Sequence, residues 1–439
     1  MRLFGLILVL LVVLLESLHS QEESQSSQEN NVYTIHSISF EGLRKSKESY
    51  LSQEMMSRVG LTVTDSLIRE DVQRLKNLNS INNAEYRIVE SGNLTSIVFE
   101  VSEVRTLLPI FNFGGITNNI WFQVGAADIN WNGTGQILSA SYLNNDNRHS
   151  ANLFFQVPEI KNSGWGFSAS IATWRSFEPL FFNDLTINYN YGNDSAGLSL
   201  IRKFGFNRSL EFGGTAFIET YSISSDQLSL VAEGIAPERV SQKKILGKVL
   251  YKEDFLKQHF FYTDGFAWSL LYQSVYNTLD QTLFNSLQLE TKYFKRIGKK
   301  VNLANRVRIG LATNDNSPFA PFVADSHVNI RGIGNRIDRG TAQMIVNTEF
   351  RYSIHDKTMW PHNKDWGVQL VGFADVGTWR NPGGSLSQLV DPDQFRVFLG
   401  GGFRVIYNKV FGAVLRVDYS VDVLDPNIHG IVIGFGQYF

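Results

Sequence analysis

The chain has 439 residues, enough for two or three domains. Its charge is close to balance, 40 Lys and Arg against 42 Asp and Glu, so no nucleic-acid partner is expected. It contains no cysteine, which excludes disulfides, thiolate metal sites, a cysteine nucleophile and a lipid-modified cysteine anchor.

Met1-Arg2 is a short positive start, and Leu3 to Leu15 is an apolar run ended by Glu16. That run falls short of the ~20 residues a spanning helix needs. With Ser17 and Ser20 behind it, residues 1–20 read as a secretory signal peptide. Residues 21–31 form a polar linker too poor in apolar side chains to build a core. No later segment is a long apolar helix, so a mature protein that crosses a membrane does so as a closed barrel. A hydrophobic content of 43% and a mean hydropathy of −0.12 allow this, because only alternate residues of a barrel strand meet lipid.

Residues 32–104 carry a mixed pattern. Ile38 and Phe40 alternate with polar neighbours and predict a strand that Gly42 ends. Leu51 and Met55 sit one helical turn apart. Asp65 is placed to cap a second helix, with Ile68, Val72 and Leu75 on one face. Tyr86 and Ile88, a turn at Ser91-Gly92-Asn93, then Ile97, Phe99 and Val101 predict a closing hairpin. This β-α-α-β-β order resembles a POTRA domain, a periplasmic module that precedes translocating barrels. Ile38-Ser39-Phe40-Glu41-Gly42-Leu43-Arg44 and Phe99-Glu100-Val101-Ser102-Glu103 carry the resemblance.

Residues 105–439 change character. Runs of ten or more residues alternate with period two between Gly, Asn, Asp and Ser turns. From 121–130 to 430–439 they predict sixteen strands, 183–192 and 195–204 among them as two. The expected fold is a transmembrane antiparallel β-barrel of about sixteen strands behind a small α/β domain. With the first strand running outward, the long gaps 223–242, 315–340, 380–394 and 422–429 all fall outside, as barrels arrange them.

The last strands divide cleanly by face. Asn347, Glu349 and Arg351 share one face, as do Phe373, Asp375 and Gly377; Gly400, Gly402 and Arg404 share another, then Arg416 and Asp418. The opposite faces are apolar. A charge facing lipid near the midplane costs ~2–4 kcal/mol, so the charged faces belong to the lumen wall. The final strand puts Ile431, Ile433, Phe435 and Phe439 on its lipid side, with Gly434 between. The loop at 315–340 carries Ile330-Arg331-Gly332-Ile333. Folded into the lumen, Arg331 would meet Asp375, since a guanidinium fork fits a carboxylate and a desolvated charge needs such a partner. Loss of either residue should lower stability, and a charge-swapped pair should recover part of it.

Ile330-Arg331-Gly332-Ile333 resembles the loop signature of the BamA/TamA superfamily, the bacterial surface antigen family. Phe373-x-Asp375-x-Gly377 matches its acceptor strand. Asn347-x-Glu349-Phe350-Arg351, Gly400-x-Gly402-x-Arg404, Arg416-Val417-Asp418 and Gly434-Phe435-Gly436-Gln437-Tyr438-Phe439 resemble the strands around it. Ile333 stands where the loop usually has an aromatic, and one POTRA is fewer than the essential assembly factors carry. The resemblance implies a latch of Arg331 on Asp375, a weak seam between first and last strands, and a C-terminal strand signal at Gly434, Phe435 and Phe439. It implies a barrel of the bacterial outer membrane, its POTRA in the periplasm, that assembles or translocates proteins. The implied partners are unfolded outer-membrane or secreted chains, outer-membrane lipid and periplasmic or lipoprotein accessories.

Two alternatives stand beside it: a two-partner-type secretion translocator, and a passive porin or lipid channel. With no G-x-S-x-G, H-E-x-x-H or calcium loop, no enzyme, metal or cofactor is expected.

Overall fold

The computed structural model describes residues 32–439 apart from 93, 117–118, 146, 183–184, 260–261, 314–319, 327, 335–337, 355–364, 408 and 411–412. The expected signal peptide and linker lie outside the described residues.

The N-terminal unit runs β1 (Val32–Glu41), α1 (Glu48–Gln53), β2 (Thr62–Thr64), α2 (Asp65–Asn77), β3 (Ile81–Ser91) and β4 (Leu94–Glu103). Its sheet order is β2-β1-β4-β3, with β1 parallel to β4. Leu51, Met55, Ile68 and Leu75 bury against Ile35, Ile97 and Phe99, which is why the two helices lie on one face of the sheet. Two details differ from the sequence expectation. A short strand, β2, separates the helices. Thr64, rather than Asp65, caps α2 through the Leu67 amide, and Asp65 accepts from the Tyr86 hydroxyl instead.

The remainder closes into a sixteen-stranded antiparallel barrel. Its first eight strands are β5 (Leu107–Ile116), β6 (Asn119–Trp131), β7 (Gln136–Asn145), β8 (Arg148–Val157), β9 (Trp165–Phe182), β10 (Leu185–Phe204), β11 (Arg208–Ile223) and β12 (Arg239–Asp254). A two-residue strand, β13 (Lys257–Gln258), edges β14 (Thr263–Asn277), followed by β15 (Thr282–Ile297) and β16 (Val301–Ala312). The wall finishes with β19 (Ala342–Ile354), β20 (Trp366–Arg380), β21 (Arg396–Tyr407), β22 (Val414–Asp422) and β23 (His429–Phe435). Between β16 and β19 the chain folds into the bore around a small hairpin, β17 (Phe322–Ala324) and β18 (Asp338–Gly340).

The expected number of strands is right through two errors that cancel. The sequence pattern missed β5, whose Pro109 brings no N–H to a ladder and argues against a strand interior. It also cut β10 in two at Asn193-Asp194. Both residues stay in the ladder, Asn193 donating to the Tyr191 hydroxyl and Asp194 holding Arg175. The strands before β10 therefore run opposite to the sense first expected, while those from β11 onward keep theirs.

Outward residues of the last strands, among them Phe350, Leu370, Leu399, Phe403, Tyr419 and Ile431, are exposed, and their inward neighbours are buried. This is the alternation a lipid-facing wall requires. Closure comes from β23 against β5, where Ile431 to Gly434 pair with Gly115 to Asn112. Four register pairs make this ladder short.

The last strand differs from expectation. It stops at Phe435. Gly436, at φ +86°, turns the chain into the bore, so Tyr438 is buried and Phe439 leaves the lipid side. Only glycine takes that backbone conformation freely. Four lumen arginines attract the two rings: Arg306, Arg331 and Arg416 lie 5.3, 4.3 and 5.2 Å from Tyr438, and Arg351 lies 5.5 Å from Phe439.

The N-terminal domain seats its helices against one end of the barrel. Lys47 N donates to Gly133 O, and Asn130 Nδ2 donates to Ser46 Oγ. Lys203 Nζ lies 3.0 Å from Glu54 and 3.3 Å from Glu159. The Arg74 guanidinium covers Phe206, and Asn77 bonds the backbone of Leu256 and Gln258.

Candidate functional site

Arg331 is fully buried inside the barrel. The loop reaches it because Ile330 and Ile333 are apolar and bury with Phe322, Ala324, Ile345, Trp379 and Phe398. The isoleucine at 333 thus packs in the apolar cluster at the loop tip. Gly332, at φ +85°, makes the turn; a Cβ there would strike the Ser420 hydroxyl. Gly430 of β23 lies directly beneath, so loop and wall meet backbone to backbone.

The guanidinium is held on every side. Nε lies 2.8 Å from Asp375 Oδ2 and Nη2 2.8 Å from Oδ1, a bidentate fork. Nη1 donates to Glu349 Oε1 at 2.5 Å and sits 3.4 Å from Asp418 Oδ2. The Arg331 amide also donates to Asp375, and Ser420 Oγ donates to the Arg331 carbonyl at 2.6 Å. Phe373 lies on one face of the guanidinium at 3.5 Å and Tyr438 near it at 4.3 Å.

The wall residues complete the network. Asn347, directly across the ladder from Asp375, donates to it and to the Asn329 carbonyl. Arg351 Nε holds Glu349 at 2.7 Å. Arg404 forks onto Asp418 at 2.5 and 3.0 Å, reached over Gly402, where a Cβ would strike that carboxylate. Arg331, Arg351 and Arg404 thus face Glu349, Asp375 and Asp418, with Arg306 and Arg416 buried beside them. Each acid is paired with a guanidinium, as a buried charge requires. Arg416 stands at the edge and donates to Gln437 O at 3.0 Å.

The structure therefore brings Ile330, Arg331, Gly332, Ile333, Phe373, Asp375, Gly377, Asn347, Glu349, Arg351, Arg404, Arg416 and Asp418 to one place. Gly377 leaves the gap that the Ile330 side chain fills. Gly434 and Phe435 stay in the wall at the seam, Phe435 edge-on to Phe111 at 6.3 Å. This geometry argues against the expected recovery by charge swap. An aspartate at 331 would face Glu349 and Asp418.

Sequence reasoning passed over Arg306, Ser420, Tyr438, Arg339 and Glu178. Arg306 Nη2 donates to Val328 O at 2.5 Å and Nε to Asn347 at 3.0 Å. Arg306 and Arg308 alternate with Val307 and Ile309 in β16, a signal that would have marked both as lumen residues. Nothing comparable marked Tyr438, because a regular strand would have continued past Phe435.

Residues 33–104 match the POTRA family, a surface antigen variable number repeat, and residues 130–439 match the Omp85 superfamily domain. Among solved structures the chain is similar to BamA from Haemophilus ducreyi lacking POTRA domains 1–3. Identity there is 14% over 94% of this chain and 86% of that one, with a TM-score of 0.52. It is also similar to CdiB from Acinetobacter baumannii (12% identity, 92% and 74% covered, TM-score 0.57) and to CdiB from Escherichia coli (8%, 92% and 76%, 0.59). These likenesses establish a shared fold, and the domain matches establish descent: the chain belongs to the Omp85 superfamily, barrels of the bacterial outer membrane, and carries one POTRA domain.

Proposed function

We propose that this protein is an assembly or translocation barrel of the outer membrane. Its POTRA domain stands in the periplasm and receives unfolded outer-membrane or secreted chains. The in-folded loop, latched by Arg331 on Asp375, keeps the bore shut until a chain is engaged. The short β5–β23 ladder is the place where the wall gives way, since an open sheet edge templates a new strand. Outer-membrane lipid is the surrounding partner, and periplasmic or lipoprotein accessories fit the free sheet edge of the POTRA.

The observation that carries this reading is the buried Arg331 socket. A passive porin needs a wet bore, whereas this loop fills its bore with apolar side chains and buried ion pairs. The resemblance to BamA/TamA barrels supports the protein substrate class. Two measurements test it. Depletion followed by an inventory of the outer membrane and the medium should show loss of a set of outer-membrane or secreted proteins. In planar bilayers the wild-type barrel should conduct little and Arg331→Ala more. A large conductance that Arg331→Ala leaves unchanged, with an intact inventory, would leave the passive channel as the function.

A further inference from the structure

We propose that the in-folded loop is a brace across the bore that holds the seam closed, and that Arg339 with Glu178 is its second anchor. Among the described residues, the Arg331 socket ties the loop to one arc of wall: Arg306 on β16, Asn347 and Glu349 on β19, Asp375 on β20, Asp418 and Ser420 on β22. With that anchor alone, the loop would ride with its arc and leave the seam free.

The returning limb changes this. In β18, Arg339 points at the opposite wall, where its Nε lies 3.3 Å from Glu178 Oε2 of β9. Glu178 is fully buried, and its other oxygen accepts from Ser176 at 2.5 Å. The Arg339 guanidinium also lies 6.0 Å from the Tyr191 ring of β10. Tyr191 donates to Glu219 of β11, which Lys244 of β12 holds at 2.5 Å. The second anchor is thus set in a network joining four neighbouring strands.

Following the wall from β9 to β19 by one route passes β8, β7, β6 and β5, then β23, β22, β21 and β20. The loop is the chord of the arc that contains the β5–β23 ladder. Widening the seam moves β5–β9 away from β19–β23, and a loop fastened at both ends resists that movement. Parting either anchor breaks a buried ion pair.

The absence of native cysteine allows a direct test. Val432 of β23 is buried beside the seam, and Ala304 of β16 is buried well away from it. A maleimide reagent is applied to the folded barrel carrying Val432→Cys or Ala304→Cys, alone and with Glu178→Gln, Arg339→Gln or both. Glutamine keeps the size of each anchor and removes its charge. Labelling at 432 should rise about tenfold in each single variant, as losing one charge-assisted bond implies, and no further in the double. Labelling at 304 should not change. Unchanged labelling at 432, a rise in only one single variant, or equal rises at both positions would overturn the brace. The readout is seam exposure without any cargo, so its failure is distinct from failure of the assembly function.

Discussion

The guanidinium carbon of Arg331 lies 3.5 Å from the ring centroid of Phe373, two residues ahead of the aspartate that grips it. Ring and acid share one face of β20, so a single strand supplies both the charge partner and the apolar bed. Gly400, across the ladder from Phe373, makes the bed possible: a Cβ there would meet the ring. The ring keeps water from the fork, which strengthens the pairing beneath it.

Arg331→Ala leaves Asp375, Glu349 and Asp418 with one cation fewer in a buried site. The expected cost is about 3–5 kcal/mol. The gel temperature at which the compact folded band converts to the unfolded one should fall. Arg331→Lys should fall between, because an ammonium keeps the charge and loses the planar fork. The swap Arg331→Asp with Asp375→Arg should do no better than Arg331→Ala. Recovery of wild-type mobility by the swap would show that the other two acids contribute nothing to the socket.

Gly400→Ala and Gly332→Ala test the space instead of the charge. The first pushes a methyl at Phe373 and at the Tyr419 carbonyl. The second adds strain at φ +85° to a collision with Ser420. Overpacking costs typically ~1–3 kcal/mol, so both should lower the same transition. Gly372→Ala, on the same wall with open space around its Cβ position, is the control and should not move it.

Much of this site was legible in the sequence because its residues sit on regular strands. Period-two alternation places Glu349, Arg351, Asp375, Arg404 and Asp418 on one side of the wall, and the cost of a charge in lipid says which side. Only one side of the seam was legible, the last strand. The pattern missed β5, which carries a proline inside it, and carried the last strand past Gly436, where it breaks. Arg339 and Glu178 were invisible for another reason. They are 161 positions apart (339 − 178), on elements that meet only once the cylinder has closed.

Tyr438 shows what that break achieves. The residue is buried, and its ring lies 4.3 Å from the Arg331 guanidinium carbon. A desolvated cation–π contact contributes about 2 kcal/mol. Tyr438→Ala should therefore lower the unfolding temperature of the gel band, and Tyr438→Phe should hardly change it. The hydroxyl lies 3.5 Å from Ser326 O, at the limit of a hydrogen bond. Equal losses in both variants would assign the effect to the hydroxyl and remove the ring from the latch.

The seat of the POTRA domain is separable from the latch. Lys203 joins Glu54 of the POTRA to Glu159 of the barrel, and all three side chains are largely buried. Gly133, at φ +71°, approaches the Lys45 carbonyl so closely that a Cβ would collide with it. Lys203→Ala leaves two carboxylates facing each other without a cation, and Gly133→Val wedges the turn away from the domain. Both should loosen the seat and speed proteolysis at Val104–Thr106, the link between β4 and β5. Neither touches the Arg331 socket, so the gel transition of the trimmed barrel should stay where it is. Slow cleavage in both variants would mean that the seat is held elsewhere, at Arg74 on Phe206 and Asn77 on Leu256. A shifted gel transition would instead mean that the domain and the socket are mechanically one unit.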